Sequence, residues 1–280
     1  MKFLLLGGDG RFVRLAGSLR ADGHTVLTCG LERPVTEGPV WGELAAAPEL
    51  TALILPLPWE RDGFINAPFA GAALKAGELL RELPPGTPVL AGKIGESLRV
   101  LCKGLGLPLT AYDSREDFAL RNADLTAEGA LPLLLSGEKA LRDSNILILG
   151  FGRIGKRLAG KLLALGAPVT VAARSAAART EAELMGCSAV PLGETAGTWD
   201  AVVNTVPEPV FGITTLEGFI PGTPLLELAS PPYGFDRAAA EALGLPLTLA
   251  PGLPGKTAPA TAAEVLKRTI YTILEENRGT

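Results

Sequence analysis

Two stretches of the chain set glycines and charges just ahead of a helix-forming run, an arrangement that can hold a phosphate. One is "LLLGGDGRFVRLAG" at 4–17, the other "LILGFGRIGKRLAG" at 147–160. They correspond residue for residue, Gly7 with Gly150 and Arg14 with Arg157. In the second copy Gly150, Gly152 and Gly155 form G-x-G-x-x-G between an apolar strand and an amphipathic helix, and another strand ends about 20 residues on. Gly150 permits the tight turn, Gly152 lets backbone approach a pyrophosphate, and Gly155 lets helix and strand pack closely. The whole turn, with Phe151, Arg153 and Ile154, then offers helix N-terminal N–H groups to phosphate. The first copy keeps Gly7 but has Asp9 where the second has Gly152, and Phe12 where it has Gly155. A carboxylate in that place repels a pyrophosphate. The second copy is therefore expected to bind a dinucleotide, and the first half is left to hold substrate.

The strand after the fingerprint helix ends in "VAARSAAAR". An enzyme selecting NAD usually places Asp or Glu here, on the ribose hydroxyls. This chain has Arg174 and Ser175, and the first acid is Glu181. A guanidinium fork with a hydroxyl beside it suits a 2′-phosphate, so the expected cofactor is NADP. Three further loops follow strand ends: "NTVPEPVF", "ELASPPYGFD" and "APGLPGKTAP". In open parallel sheets ligands bind at these ends. Asn204, Thr205, Val206, Pro207 and Ser230 are accordingly expected at the nicotinamide side, and Lys256 in reach of the same edge.

Short apolar runs alternate with helical patterns along the chain, which reads as right-handed βαβ units and parallel sheets. Strands are expected near Phe3–Leu6, Thr25–Thr28, Ala52–Leu55, Val89–Ala91 and Leu107–Ala111. In the second half they are expected near Ile146–Leu149, Val169–Ala172, Ala189–Pro191, Ala201–Asn204, Leu225–Leu228 and Leu247–Leu249. Phe69–Leu80 and Glu96–Lys103 read as helices. The fold class is thus α/β, two doubly wound Rossmann-like domains joined by crossing helices. The expected division is 1–118 for substrate or partner and 119–258 for NADP, with the helix 259–280 packing back on the first domain. The stretch 114–145 reads as one or two helices, with Thr126 an N-cap and Pro132 a kink or a stop.

The 280 residues are 47% hydrophobic and 20% charged, with a net charge of −4. That fits a globular protein and argues against a nucleic-acid binder. No apolar run reaches membrane length. The three cysteines form no C-x-x-C and read as reduced thiols of a cytoplasmic protein. The single histidine, His24, sits in "ADGHTV" between helix and strand, which disfavours a histidine base and a metal site.

Taken together, "NADLTAEGA", "LGFGRIGKRLA", "ARS", "NTVP", "LELASPPYG" and "APGLPGKTAP" resemble the dipicolinate synthase A-chain family, with "GGDGR" and "SREDFALRNA" matching more loosely. That family resembles two-domain dehydrogenases of the formate-dehydrogenase type. The resemblance implies NADP-linked oxidation of a dihydrodipicolinate-type heterocycle, from the lysine pathway, to pyridine-2,6-dicarboxylate. It also implies a flavoprotein-like partner, the B-subunit of dipicolinate synthase, and the mother-cell cytoplasm during sporulation. A homo-oligomer stays open. The family places a lysine after the proline matching Pro259, where this chain has Ala260, so Lys256 is the local cation. Two carboxylates on such a substrate need cationic partners, for which Arg115, Arg11 and Lys256 are candidates at the domain junction. Asn122, Thr126 and Glu128 are candidates to orient the ring or take a proton. Two other readings stand beside this one: a different NADP-dependent small-acid dehydrogenase, and a non-catalytic NADP-sensing protein.

Overall fold

A computed structural model of the chain describes residues 1–31, 50–136 and 139–278. The chain divides into two compact units, Met1–Arg121 with Ala258–Thr280, and Asn122–Thr257. Each is built on one all-parallel sheet. In the first, β1 (Lys2–Leu6), β2 (Thr25–Cys29), β3 (Ala52–Ile54), β6 (Val89–Ala91) and β7 (Leu109–Ala111) run in the order β2-β1-β3-β6-β7. A small antiparallel pair, β4 (Glu60–Arg61) and β5 (Phe64–Ile65), lies between β3 and β6 in sequence. In the second unit β8 (Ile146–Leu149), β9 (Val169–Ala173), β10 (Ser188–Pro191), β11 (Ala201–Asn204), β12 (Leu225–Glu227) and β13 (Leu247–Leu249) run β10-β9-β8-β11-β12-β13. These are the two common doubly wound orders, and each reverses direction once, between β1 and β3 and between β8 and β11.

Alternation along the central strands makes two cores per unit, because successive side chains leave opposite faces. Phe3 and Leu5 join one cluster of the first unit, Leu4 and Leu6 the other. Ile146 and Ile148 likewise separate from Leu147 and Leu149. The helix Gly10–Ala21 covers one face of the first sheet with Phe12, Leu15, Ala16 and Leu19. The last helix, Pro259–Arg278, packs on it through Leu266, Ile270, Ile273 and Leu274. Polar contacts border that seam: Tyr271 donates to Asp22 at 2.7 Å, Lys267 pairs with Asp22 at 2.9 Å, and Ser18 donates to Glu264. Residues 279 and 280 of the expected helix lie outside the described residues.

His24 lies edge-on between the rings of Phe3 and Tyr271. Burial and the nearby N-terminal ammonium hold its pKa below the usual value, against a smaller opposing pull from Asp22. It precedes β2, at the amino edge of the sheet, opposite the edge where ligands bind. Cys29, Cys102 and Cys187 are buried and form no disulfide, and burial pushes the Cys102 thiol up to about 11.

Two sequence expectations need correction. Phe69–Leu80 is helical only over Ala76–Leu79, followed by one tight turn at Leu80–Glu82. The preceding residues are held by tertiary contacts, with the Leu74 carbonyl accepting from the Ile65 N–H at 2.8 Å. The stretch after Ser114 forms one continuous helix, Glu116–Leu135, which leads from the first unit into the second. Thr126 is therefore mid-helix, not an N-cap, and its hydroxyl donates back to the Asn122 carbonyl at 2.8 Å. The helix tolerates Pro132 within its last turn.

Ile270 is fully buried in the seam between the first and last helices. Ile270→Ala should destabilise the protein by about 2–5 kcal/mol. Urea unfolding followed by circular dichroism measures this, and an unchanged midpoint would mean that the last helix is not docked.

Candidate functional site

The turn after β8 is shaped by close approaches that only glycine allows. Gly150 has φ 93°, and a Cβ there would stand 2.7 Å from Val206 and 2.8 Å from the Thr205 hydroxyl. A Cβ on Gly155 would fall 2.3 Å from the Gly150 carbonyl oxygen. Gly152 is different: a Cβ there would meet nothing within 4 Å. Packing of the protein does not require glycine at 152, so the space in front of it is available to a ligand. Gly152 is also the N-cap of the helix Arg153–Ala164, and no side chain caps that end. Its first turn holds no acid. Helix N-terminal N–H groups and the positive end of the helix dipole meet an open approach, which is what a pyrophosphate needs. These residues fit a dinucleotide.

The first copy closes the same place. Asp9 caps the helix Gly10–Ala21, accepting from the Arg11 N–H at 3.0 Å. Its carboxylate also takes the Arg11 guanidinium, at 2.9 Å from Nε and 2.8 Å from Nη2. The anion position is thus filled by the protein's own acid. Phe12 and Gly8 have exchanged sizes with their counterparts Gly155 and Phe151. Gly8 takes φ 108°, and a Cβ on it would collide with the Phe12 ring.

Around the glycine turn, Phe151 is buried in the core, so only its backbone faces the turn. Gly152, Arg153 and Pro207 are exposed and Ile154 half-buried. The Thr205 hydroxyl donates to the Leu149 carbonyl at 3.0 Å and fixes β11 against the turn. Lys156 lies over the Phe151 ring and pairs with Glu181 at 2.7 Å. Arg174 directly follows β9, is 69% exposed and pairs with Glu208 at 3.2 Å. Arg179 donates to the carbonyls of Ala173 and Arg174 at 2.9 and 3.0 Å and holds that bend. Ser175 caps the helix Ala176–Leu184 through the Ala178 N–H, so its oxygen is engaged while its proton stays available.

Asn204 has a role that differs from the expected one. It is fully buried, and its amide is saturated by Val206 and by Glu227, the latter at 2.7 Å. It cannot reach a nicotinamide riboside; it positions loops. Glu227, also fully buried, accepts from Asn204 and from the N–H groups of Ala229, Gly234 and Phe235 at 2.7–3.2 Å. This carboxylate folds the loop 228–235 around itself and leaves Ser230 exposed beyond the end of β12. The sequence pattern points to this loop but not to its organiser. The signal for Glu227 is an acid closing the buried run "LLE".

Of the six candidates for substrate chemistry, Arg11 is held by Asp9, and the other five are divided between the two units. Arg115 is in the first unit and engaged by Glu276 at 2.7 Å and Asp117 at 3.3 Å, contacts that raise its pKa. Asn122 is half-buried. Thr126 is buried and its hydroxyl donates to the Asn122 carbonyl of its own helix, so its place is inside the packing and not on an open surface. Glu128 is exposed and shares Lys161 with Asp124, at 3.7 and 3.1 Å. Lys256 is exposed in the short helix Leu253–Thr257 that follows β13, with no ion pair among the described residues. No group of metal-ligating side chains occurs among the described residues.

Gly152→Asp would give the second copy the acid that the first copy carries. Since a side chain at 152 meets no protein atom, the fold and its melting temperature should change little. Affinity for nicotinamide dinucleotides should fall on the order of a hundredfold, as at least two charge-assisted bonds are lost. Calorimetric titration checks this, and unchanged binding would remove the pyrophosphate from this turn.

Comparison with known proteins agrees with this geometry. Residues 2–112 match the model of the dipicolinate synthase A-subunit N-terminal domain. Residues 134–210 match that of the D-isomer specific 2-hydroxyacid dehydrogenase NAD binding domain. The dipicolinate synthase A-subunit of Bacillus subtilis is 32% identical over 99% of this chain and 96% of its own. The crystal structure of the Bacillus halodurans A-subunit superposes with a TM-score of 0.85 at 26% identity, covering 98% of this chain and 97% of that one. The Bacillus subtilis A-chain structure gives 0.85 at 27% identity, over 100% and 97%. With a relative this similar along its whole length and a nicotinamide-dinucleotide fold in its second unit, the chain belongs to the dipicolinate synthase A-chain family.

Proposed function

We propose that this oxidoreductase uses NADP to oxidise a dihydrodipicolinate-type heterocycle to pyridine-2,6-dicarboxylate. The observation that carries the reading is the intact, uncapped fingerprint turn at Gly150–Gly155 in a chain similar to a dipicolinate synthase A-chain relative from end to end. When bound, the cofactor supplies the acceptor for the two electrons and one hydrogen that leave the ring as hydride; the second hydrogen leaves as a proton. Aromatisation drives the step, so the protein's task is chiefly to position the ring.

The chain's own residues divide that task. The N–H groups of the helix Arg153–Ala164 hold the pyrophosphate, and Arg174 with the Ser175 proton holds the 2′-phosphate. The Thr205 and Val206 turn, braced by Asn204 and Glu227, supports the nicotinamide side together with the exposed Ser230. Lys256, exposed at the carboxyl edge of the second sheet, is the cation of that unit offered to a ring carboxylate. Asn122 and Glu128 remain as the groups to orient the ring or take the proton. The relatives are named as one subunit of an enzyme, which supports a second subunit as partner; a flavoprotein-like partner and the mother-cell cytoplasm are what the family resemblance implies. Among the described residues no helix is long and apolar enough to cross a membrane.

Glu208 competes for Arg174, and both side chains are exposed, so the gain from a 2′-phosphate is moderate. Arg174→Ala should weaken NADP about tenfold and leave NAD nearly unchanged. Titrating both cofactors into wild type and variant decides it: equal wild-type affinities, or an equal loss for both, would make Arg174 an ordinary surface arginine and overturn the NADP assignment. Activity is tested by mixing the protein and NADP with the product of dihydrodipicolinate synthase. Pyridine absorbance should appear together with reduced cofactor. Its absence, even with the flavoprotein-like partner present, would refute the reaction.

A further inference from the structure

Arg11 carries a feature that nucleotide binding in the second unit leaves unexplained. The residue is only 7% exposed. Asp9 occupies its Nε–Nη2 edge, and Nη2 also donates to the Leu57 carbonyl at 3.0 Å. The third nitrogen, Nη1, carries two more N–H groups and has no acceptor among the described residues. Buried guanidinium donors are rarely left in that state, and each instance calls for a partner.

The place is informative. The first sheet runs β2-β1-β3-β6-β7, so its direction of growth reverses between β1 and β3. β1 leads into the turn Gly7–Asp9 and Arg11, and β3 leads into Leu55–Leu57. The bond from Arg11 to Leu57 therefore ties together the two loops that flank the switch point. In open parallel sheets the crevice outside the carboxyl ends at a switch point is where ligands bind. The pyrophosphate use of that crevice is blocked here by Asp9. What remains is the opposite edge of a guanidinium already held in plane, with its ordering cost met before any ligand arrives. The complement of such an edge is a carboxylate oxygen.

We infer that the first unit has its own carboxylate subsite at this switch point, in which Arg11 Nη1 donates to one carboxylate of the small acid substrate. Asp9 then serves as a holder, fixing the guanidinium so that its free nitrogen faces the ligand. The choice of ligand rests on the dicarboxylate reading above.

The test measures binding to the intact chain by calorimetry, without turnover. The probes are pyridine-2,6-dicarboxylate and malonate, a dicarboxylate with no ring. Wild type, Arg11→Gln and Arg11→Lys are compared, and NADP binding with thermal unfolding serves as a check on folding. Wild type should bind the pyridine acid. Arg11→Gln should weaken it at least tenfold, with NADP affinity unchanged. Arg11→Lys keeps a cation for Asp9 but lacks the far nitrogen, and should lose most of the same affinity; it decides the matter if Arg11→Gln does not fold. Wild-type-like binding by the folded variants would overturn the subsite and leave Nη1 to an internal water. Failure of wild type to bind either acid would overturn it too. Arg11-dependent binding of malonate without binding of the pyridine acid would uphold the subsite and refute the heterocycle.

Discussion

An α-helix begins with N–H groups that its own turns cannot satisfy, and a helix that starts at the carboxyl end of a parallel strand aims them at one spot. Much of this molecule follows from how that requirement is met in each unit. In the first, the helix Gly10–Ala21 receives a carboxylate from its own N-cap, Asp9, and a buried arginine neutralises that acid in turn. In the second, the helix Arg153–Ala164 starts at a glycine with open space in front of it. One end is capped by the protein's own acid and the other asks for an anion. The same backbone plan can thus be silent or receptive to phosphate through one side chain.

The second constraint is a carboxylate without solvent. Glu227 sits at the end of β12 and gathers four donors from two loops. A buried acid is tolerated when its oxygens are fully bonded, and here the bonding partners are mostly backbone. Gly234 has to be small because Asn204 lies directly against it, where a Cβ would fall 2.3 Å from the amide nitrogen. Asn204, Glu227 and Gly234 therefore act as one unit. Their effect on chemistry is indirect: they give the carboxyl edge of the second sheet a fixed shape.

Much of the architecture was legible because buried parallel strands read as short apolar runs and the helices between them as periodic ones. The eleven strands of the two parallel sheets lie where those runs fall, and the glycine turn reads from its spacing alone. The small pair β4–β5 turns at Asp62-Gly63, whose φ values of 52° and 83° suit a tight hairpin, but its two-residue strands are too short for any alternation to show in the sequence. The Phe69–Leu80 pattern looked helical because alanine and leucine favour helix, and a bond from Ile65 overrode that preference. The side-chain roles were harder. Whether Asn204 faces a ligand or a buried acid depends on a residue 23 positions away. Arg115 looked available because its partner Glu276 lies 161 positions further along. Local spacing carries no record of such pairings.

The docking of the last helix on the first has a bearing on how the molecule comes into being. The first unit is assembled from both ends of the chain, and the second is a single continuous segment between them. During synthesis the second unit has all its residues before the last helix exists. The first must wait, with Leu15, Leu19 and Phe12 lacking the apolar stripe of Leu266, Ile270 and Ile273 that later covers them. Segments of this kind expose apolar surface until their distant partner arrives, and closing them requires long-range contacts late in folding. Although its residues are made first, the first unit is thus the last to be completed.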